Sequence, residues 1–291
     1  MRLMLGLSGE EFDQLPHLDL AGVGMIRGEY LVRKSGHYVT NASCRANIER
    51  YLGRICEMLE PRPVWYRLIE METSEVNLLD GADHRVVEKT TMLGLRGVRR
   101  ALAYPETFAL EAELLGRLGR RFANLHVILP FVTLVEEVAE VGRMLRAGGF
   151  PNQIGMMAET PAAIEAIEEF LEAGVAHFTL GMNDLTSLYF GSYRGLGIER
   201  TRGPGLTRFL ERAVAKVRSA GASINLAGYL TAADLDWARR AGFHHAVIQY
   251  SLLPQVLDLD PAALTGTEDL FAIKRAIRAA VAADQAGAGR G

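Results

Sequence analysis

Cysteine is scarce in this sequence: there are two in 291 residues, Cys44 and Cys56. Neither stands in a Cys-x-x-Cys pair, which excludes a disulfide framework or a cysteine-rich zinc site as the organising feature. Both are expected to lie reduced on or near a helix face. A basic excess is missing too. The 32 Lys and Arg are outnumbered by 35 Asp and Glu, for a formal net charge of -3. Nucleic-acid binders usually carry a clear positive surplus, so no nucleic-acid partner is expected. Long apolar runs are also absent. The opening "MRLMLGLSGEEF" is too short in its apolar part for a signal-peptide core, and "HVILPFVTLV" is broken by Pro130. Neither approaches the roughly 20 residues of a membrane span, so the chain reads as cytoplasmic. No Gly-x-Gly-x-x-Gly follows a strand-like run, which removes the commonest reason to expect a dinucleotide-binding open sheet.

What is present is rhythm. Short apolar, often β-branched runs cover residues 3–7, 22–27, 64–69, 125–130, 153–159, 177–182, 223–228 and 245–250. Such runs suit parallel strands buried on both faces. Between them lie patterns with apolar positions three and four residues apart, among them "NASCRANIERYLGRICEML", "PAAIEAIEEFLEAG" and "TRFLERAVAKVRSAG". The last two are expected to stop at Gly174 and Gly221, and "TAADLDWARRAG" to run from a Thr231 cap to Gly242. Eight strands alternating with helices predict an α/β fold, a (β/α)8 TIM barrel. One domain over 1–281 is expected, followed by a flexible Gly-rich tail over 282–291. The rhythm fails between the third and fourth strands. There "LLDGADHRVVEKTTMLGLRGVRRAL" sits in a long insertion expected to cover the mouth of the barrel.

Two strand-like runs close on an acid: Glu159 ends the fifth, and Asp184 follows the sixth. Catalytic groups of such barrels gather at the carboxyl ends of the strands. Neighbouring strands are about 4.8 Å apart, so both acids can reach one point. Two carboxylates with water suit Mg²⁺. Each acid equally suits a helix start, so capping is the plain alternative. Four arginines fall at similar places: Arg27, Arg67 (inside an apolar run, where a charge needs a partner), Arg96 between glycines, and Arg194. Guanidinium groups grip phosphate or carboxylate through paired hydrogen bonds. Arg99 and Arg100 read as solvated, and His244 and His245 as facing a helix layer or the lower rim.

Six blocks, "GVGMIRGEYL", "VWYRLIEMETSE", "TMLGLRGVRRAL", "ILPFVTLVEE", "GMMAETPAA" and "LGMNDLTSLYFGSYR", come in an order that resembles the phosphoenolpyruvate-utilising enzymes. That family includes phosphoenolpyruvate synthase, pyruvate phosphate dikinase and enzyme I of the sugar phosphotransferase system. The resemblance is to their C-terminal barrel, of the phosphoenolpyruvate/pyruvate-binding type, and covers about residues 3–255. It implies that Glu159 and Asp184 hold Mg²⁺. It also implies that Arg27, Arg67 and Arg194, with Asn183, hold the phosphoryl group, and that Arg96 acts beside them. Phosphoryl transfer would pass through a pyruvate enolate. A homodimer is implied as well.

The sequence departs from the family in two respects. No phosphohistidine motif surrounds any of the seven histidines, so that group is expected on a separate partner chain. The family's acid/base cysteine after the seventh strand is replaced by Ala227, which cannot move a proton. Tyr229, two residues on, carries the nearest phenol and is its candidate replacement. Smaller departures are Thr90-Thr91 for Asn-Pro, Gly28 for a threonine, and Glu70 for an aspartate. Three functions stay open: Mg²⁺-dependent phosphoryl transfer, a Mg²⁺-dependent lyase or aldolase using a pyruvate enolate, and non-catalytic phosphoenolpyruvate binding.

Overall fold

Each of the eight apolar runs forms a strand, and the strands close on themselves in sequence order, every neighbouring pair parallel. The computed structural model describes residues 1–10, 13, 15–82, 86–88, 90, 93–192, 203–257 and 279. The 282–291 tail and Arg194 lie outside the described residues.

The chain enters through β1 (Arg2–Leu7), a 3-10 turn at Leu15–His17 and β2 (Val23–Arg27). Helices α1 (Gly28–Ser35) and α2 (Ala42–Leu59) lead to β3 (Val64–Arg67). The long insertion holds α3 (Thr73–Val76) and α4 (Val98–Ala103), and α5 (Pro105–Arg121) returns the chain to β4 (Leu125–Leu129). Next come α6 (Val135–Ala147), β5 (Ile154–Ala158), α7 (Pro161–Glu165), α8 (Ile167–Glu172), β6 (His177–Gly181) and α9 (Met182–Tyr189). The barrel is completed by α10 (Pro204–Ser219), β7 (Ser223–Ala227), α11 (Ala232–Ala241), β8 (His245–Gln249), a second 3-10 turn at Tyr250–Leu252 and α12 (Leu253–Leu257).

Local chemistry sets the helix ends. Asn41 accepts from the Ser43 amide at 2.8 Å and starts α2. Thr231 and Asp234 cap α11 reciprocally, and Gly242 ends it at φ 92°, a left-handed conformation that glycine adopts without steric cost. The expected helix from Pro161 to Gly174 is two helices, because the backbone leaves helical geometry at Ala166.

Two apolar regions form. The larger lies between barrel and helices, where Ile48, Leu52, Ile55 and Leu59 of α2 are almost fully buried. Each such side chain contributes roughly 1.5–3 kcal/mol. Cys44 and Cys56 share that face, both free. Burial pushes the Cys56 thiol up to about 12, which makes it a packing residue rather than a nucleophile. The smaller region fills the barrel itself with Met4, Met25, Trp65, Ile128, Met157, Ala227 and Val247. Below it His126, His177 and His245 come from the first one or two residues of β4, β6 and β8, one layer built by alternate strands. Trp65 stacks on His177 at 3.5 Å, and His245 pairs with Asn225 at 3.0 Å. His245 thus belongs to the lower rim, as expected. Among the described residues no helix is long and apolar enough to cross a membrane.

The insertion is tied down by charge. Arg33 of α1 pairs with Glu75 of α3 at 2.6 Å, both buried. Arg100 corrects the sequence reading: it is buried, donating to the Leu95 carbonyl at 3.2 Å and to the Thr73 hydroxyl at 2.6 Å. The helix pattern of α4 gave no sign that this face would meet α3.

Candidate functional site

The carboxyl ends of the strands bring the predicted residues into one mouth. Arg27 and Arg67 end β2 and β3 and are paired side by side in the sheet. Arg67 is 7% exposed. Its guanidinium meets Glu29 at 2.5 Å and Glu70 at 2.8 Å, which answers the need for a partner. Glu70 also takes two hydrogen bonds from Arg96, one from Nε at 2.7 Å and a second from Nη2. Arg96 Nη2 reaches Asp184 at 3.6 Å. Burial works to lower the pKa values of Arg67 and Arg96, but the carboxylates around them outweigh it and hold both above the ordinary value. Both stay cationic.

Arg27 donates to the Ser8 hydroxyl just beyond β1 and lies over the Tyr30 ring at 4.7 Å. The Nε–H groups of Arg27 and Arg67 are buried with no acceptor. An unpaired buried donor is costly, commonly about 1–3 kcal/mol. Two of them on neighbouring strand ends suit an incoming anion.

Glu159 follows β5 and is 1% exposed. It is not a helix cap: Thr160 caps α7, accepting from Ala163 at 3.1 Å. Instead Glu159 Oε1 accepts from the Phe131 amide at 2.8 Å. Phe131 holds φ 56°, a conformation that costs a non-glycine residue about 1–2 kcal/mol. Its ring lies under Arg96 at 4.4 Å. Burial, then the charges of Glu70 and Asp184, push the Glu159 carboxyl up to about 8. Gly181 leaves room for it, since a Cβ there would stand 2.6 Å from Glu159 Oε2. Asp184 lies in the first turn of α9, 5% exposed, where the helix dipole favours an acid.

These residues fit a hard divalent cation. The two acids lie close enough for Asp184 to raise Glu159, and a cation would relieve that repulsion. Among the described residues no group of three or more His, Cys, Asp or Glu side chains is placed to hold a metal alone. Mg²⁺ commonly binds through one or two carboxylates and fills its shell with water and substrate oxygens.

The other predicted residues vary. Asn183 accepts weakly from the Tyr229 amide at 3.5 Å. Tyr229 is 60% exposed, near enough to Tyr30 for its charge to be felt there. Ala227 ends β7, paired with Gly181 and buried among apolar side chains. Sequence reasoning missed Glu29, Ser8 and Phe131 as parts of the site. Glu29 had one available signal, its place two residues after Arg27. Phe131 had none, because its role rests on backbone geometry.

Residues 8–235 match the family model described as "PEP-utilising enzyme, PEP-binding domain". The chain belongs to the PEP-utilising enzyme family. Among curated relatives, a probable phosphoenolpyruvate synthase of Archaeoglobus fulgidus is 28% identical over 222 residues, covering 71% of this chain and 30% of that protein. The phosphoenolpyruvate synthase of Pyrococcus furiosus is 32% identical over 177 residues, covering 57% of this chain and 22% of that one. The chain thus spans under a third of the length of these relatives. Among solved structures, a HpcH/HpaI aldolase/citrate lyase family protein from Burkholderia cenocepacia superposes with TM-score 0.52 at 17% identity, covering 88% of this chain and 91% of that one. That likeness concerns the barrel fold.

Family membership also makes sense of a departure from the usual motif. A side chain at Gly28 would stand 2.5 Å from the Tyr66 hydroxyl and 2.8 Å from the Arg67 carbonyl. In this member of the PEP-utilising family the Tyr66 hydroxyl occupies the space that a threonine would need.

Proposed function

We propose that the mouth binds phosphoenolpyruvate or pyruvate together with Mg²⁺ and supports phosphoryl transfer through the pyruvate enolate, with a phosphohistidine on a partner chain. The observation that carries this reading is the pairing of Arg27 and Arg67, each with a buried unpaired Nε–H, beside the crowded acids Glu159 and Asp184. The guanidinium groups of Arg27 and Arg67 hold the phosphoryl oxygens, with Asn183 and, outside the described residues, Arg194. Arg96 stands over Phe131 and orients the ligand's remaining charge. Mg²⁺, held by Glu159 and Asp184, supplies electrostatic stabilisation of the enolate and the transferring group.

Proton traffic to the methylene carbon has no donor at Ala227. Tyr229 or water takes that role. Phosphorus and proton NMR in deuterated water, on protein with Mg²⁺ and phosphoenolpyruvate, tests the reading. Phosphate release or deuterium entry at the methylene supports enolate chemistry. Binding with neither leaves a non-catalytic binder or an enzyme that needs its phosphohistidine partner, and no binding removes the proposal.

A second reading draws on the apolar surroundings of Ala227. With no acid at that position to quench it, an enolate would persist long enough to attack a carbon electrophile, as in a lyase or aldolase. New carbon–carbon product from pyruvate and a panel of aldehydes supports that alternative. A homodimer is the assembly proposed for either activity, and sedimentation velocity reads it directly.

A further inference from the structure

Behind the mouth, on the far side of β3, sits a carboxylate that the chemistry above does not use. Glu111 projects from α5 and is 4% exposed. Its Oε1 accepts from the Tyr66 hydroxyl at 2.9 Å and from the Ile69 amide at 3.1 Å. Those two donors bracket the arginine-bearing segment. Tyr66 precedes Arg67, and Ile69 precedes Glu70, the acid that joins Arg67 to Arg96. Gly28, next to Arg27, leaves the space that lets the Tyr66 hydroxyl sit where it does. The same carboxylate therefore anchors the backbone under both Arg67 and Glu70.

Its surroundings hold a charge poorly. Tyr66 faces it from β3, Cys44 from α2 and Glu29 from α1, while Tyr38, Arg100 and Tyr104 line the cavity beside it. No cation among the described residues lowers the Glu111 carboxyl; Arg100, in the same cavity, bonds Leu95, Thr73 and Tyr38 instead. The cavity measures about 20 Å³, room for one water.

We propose that Glu111 is a positioning residue whose proton governs the anion grip of the mouth. As a carboxylate it clamps Tyr66 and Ile69 and fixes Arg67 and Glu70. As a neutral acid it holds them more weakly, because hydrogen bonds to a charged acceptor are about twice as strong. Burial, the largest influence, pushes its carboxyl up to about 7. Hydrogen bonds from Ile69 and Tyr66 pull the other way, and the Glu29 charge adds to the rise. The clamp therefore tightens as pH rises through neutrality. The inference rests on the anion-binding reading of the mouth.

The test uses the full chain and two readouts. The first is the Ile69 amide resonance in nitrogen-15 spectra between about pH 6 and about pH 8, without ligand. The second is the affinity for oxalate with Mg²⁺, a dianion that stays fully ionised over this range, in wild type and in Glu111→Gln. The glutamine keeps an acceptor for both donors and cannot ionise. The Ile69 resonance is expected to titrate near neutrality in wild type and to stay flat in the variant. The two proteins are expected to bind oxalate alike at the acid end, with wild type about fivefold tighter at the alkaline end. Any pH dependence left in Glu111→Gln belongs to the acids of the mouth. An Ile69 resonance that does not titrate overturns the proposal. So does one that titrates while the two oxalate affinities stay equal. A wild type that binds neither oxalate nor phosphoenolpyruvate at any pH overturns the reading of the mouth, and the positioning role falls with it.

Discussion

Acid should destabilise this barrel from its base, through His177. The imidazole is 7% exposed, stacked on Trp65 and bonded to the Ser223 hydroxyl at 2.7 Å. Burial first, then the nearby His126, His245 and His244, push its pKa down to about 3 from 6.5. In the unfolded chain the ring takes up a proton as pH falls through about 6.5, while in the folded barrel it does not until about pH 3. Its contribution to stability is therefore complete above about pH 6.5 and is lost progressively as pH falls towards 3. One pKa unit corresponds to about 1.4 kcal/mol, so the loss at about pH 4.5 is near 3 kcal/mol. Glu111 and Glu159, both with raised values, act in the opposite direction over an overlapping window. A comparison with His177→Gln cancels their effect, since additivity holds for sites without shared partners. Urea unfolding of both proteins at a series of pH values gives the stability difference between them. Wild type should lose about 3 kcal/mol relative to the variant between about pH 7 and about pH 4.5. Parallel profiles would refute the assignment of a neutral, proton-resistant imidazole to the barrel base.

Three further outcomes follow from the mouth. Gly181→Ala places a Cβ 2.6 Å from Glu159 Oε2; φ is -91° there, so the backbone tolerates alanine and the carboxylate must move. Mg²⁺-dependent ligand affinity should fall at least about tenfold, about 1.4 kcal/mol, and the melting temperature should drop as well, because the same Cβ would stand 2.8 Å from Met157 Cε and 2.9 Å from Glu159 Cβ. Glu70→Gln removes the charge that joins Arg67 to Arg96, and thermal or urea unfolding should register a loss of about 3–5 kcal/mol, the usual penalty for breaking a buried ion pair. Ala227→Cys returns a thiol to the end of β7, and deuterium entry at the methylene of phosphoenolpyruvate should rise above the wild-type rate.

Most of the fold was readable because parallel strands buried on both faces need continuous apolar runs. All eight such runs are strands, with ends within a residue or two of the expected ones. The insertion was harder. Its helices α3 and α4 are short and held by Arg33–Glu75 and Arg100–Thr73, contacts that no local periodicity reveals. Arg100 looked solvated for the same reason. The site was legible where a charged residue interrupts or ends an apolar run, as at Arg27, Arg67 and Glu159. It was not legible where function depends on pairing across strands. Glu29 sits two residues after Arg27 yet pairs with Arg67 of the next strand, and Glu70, three residues after Arg67, also takes Arg96 from the insertion; neither longer-range pair shows in the local sequence. That Glu159 does not cap its helix needed coordinates too. Thr160 does the capping and frees the acid to meet Phe131.

The proposed function rests on two acids and a set of arginines acting as one binding site for Mg²⁺ and a small phosphorylated acid. Isothermal titration of phosphoenolpyruvate into wild type and Glu159→Ala, with and without Mg²⁺, tests it most directly. Wild type is expected to bind only when Mg²⁺ is present, and the variant in neither condition. Equal binding with and without the ion, or binding that survives Glu159→Ala unchanged, would contradict it.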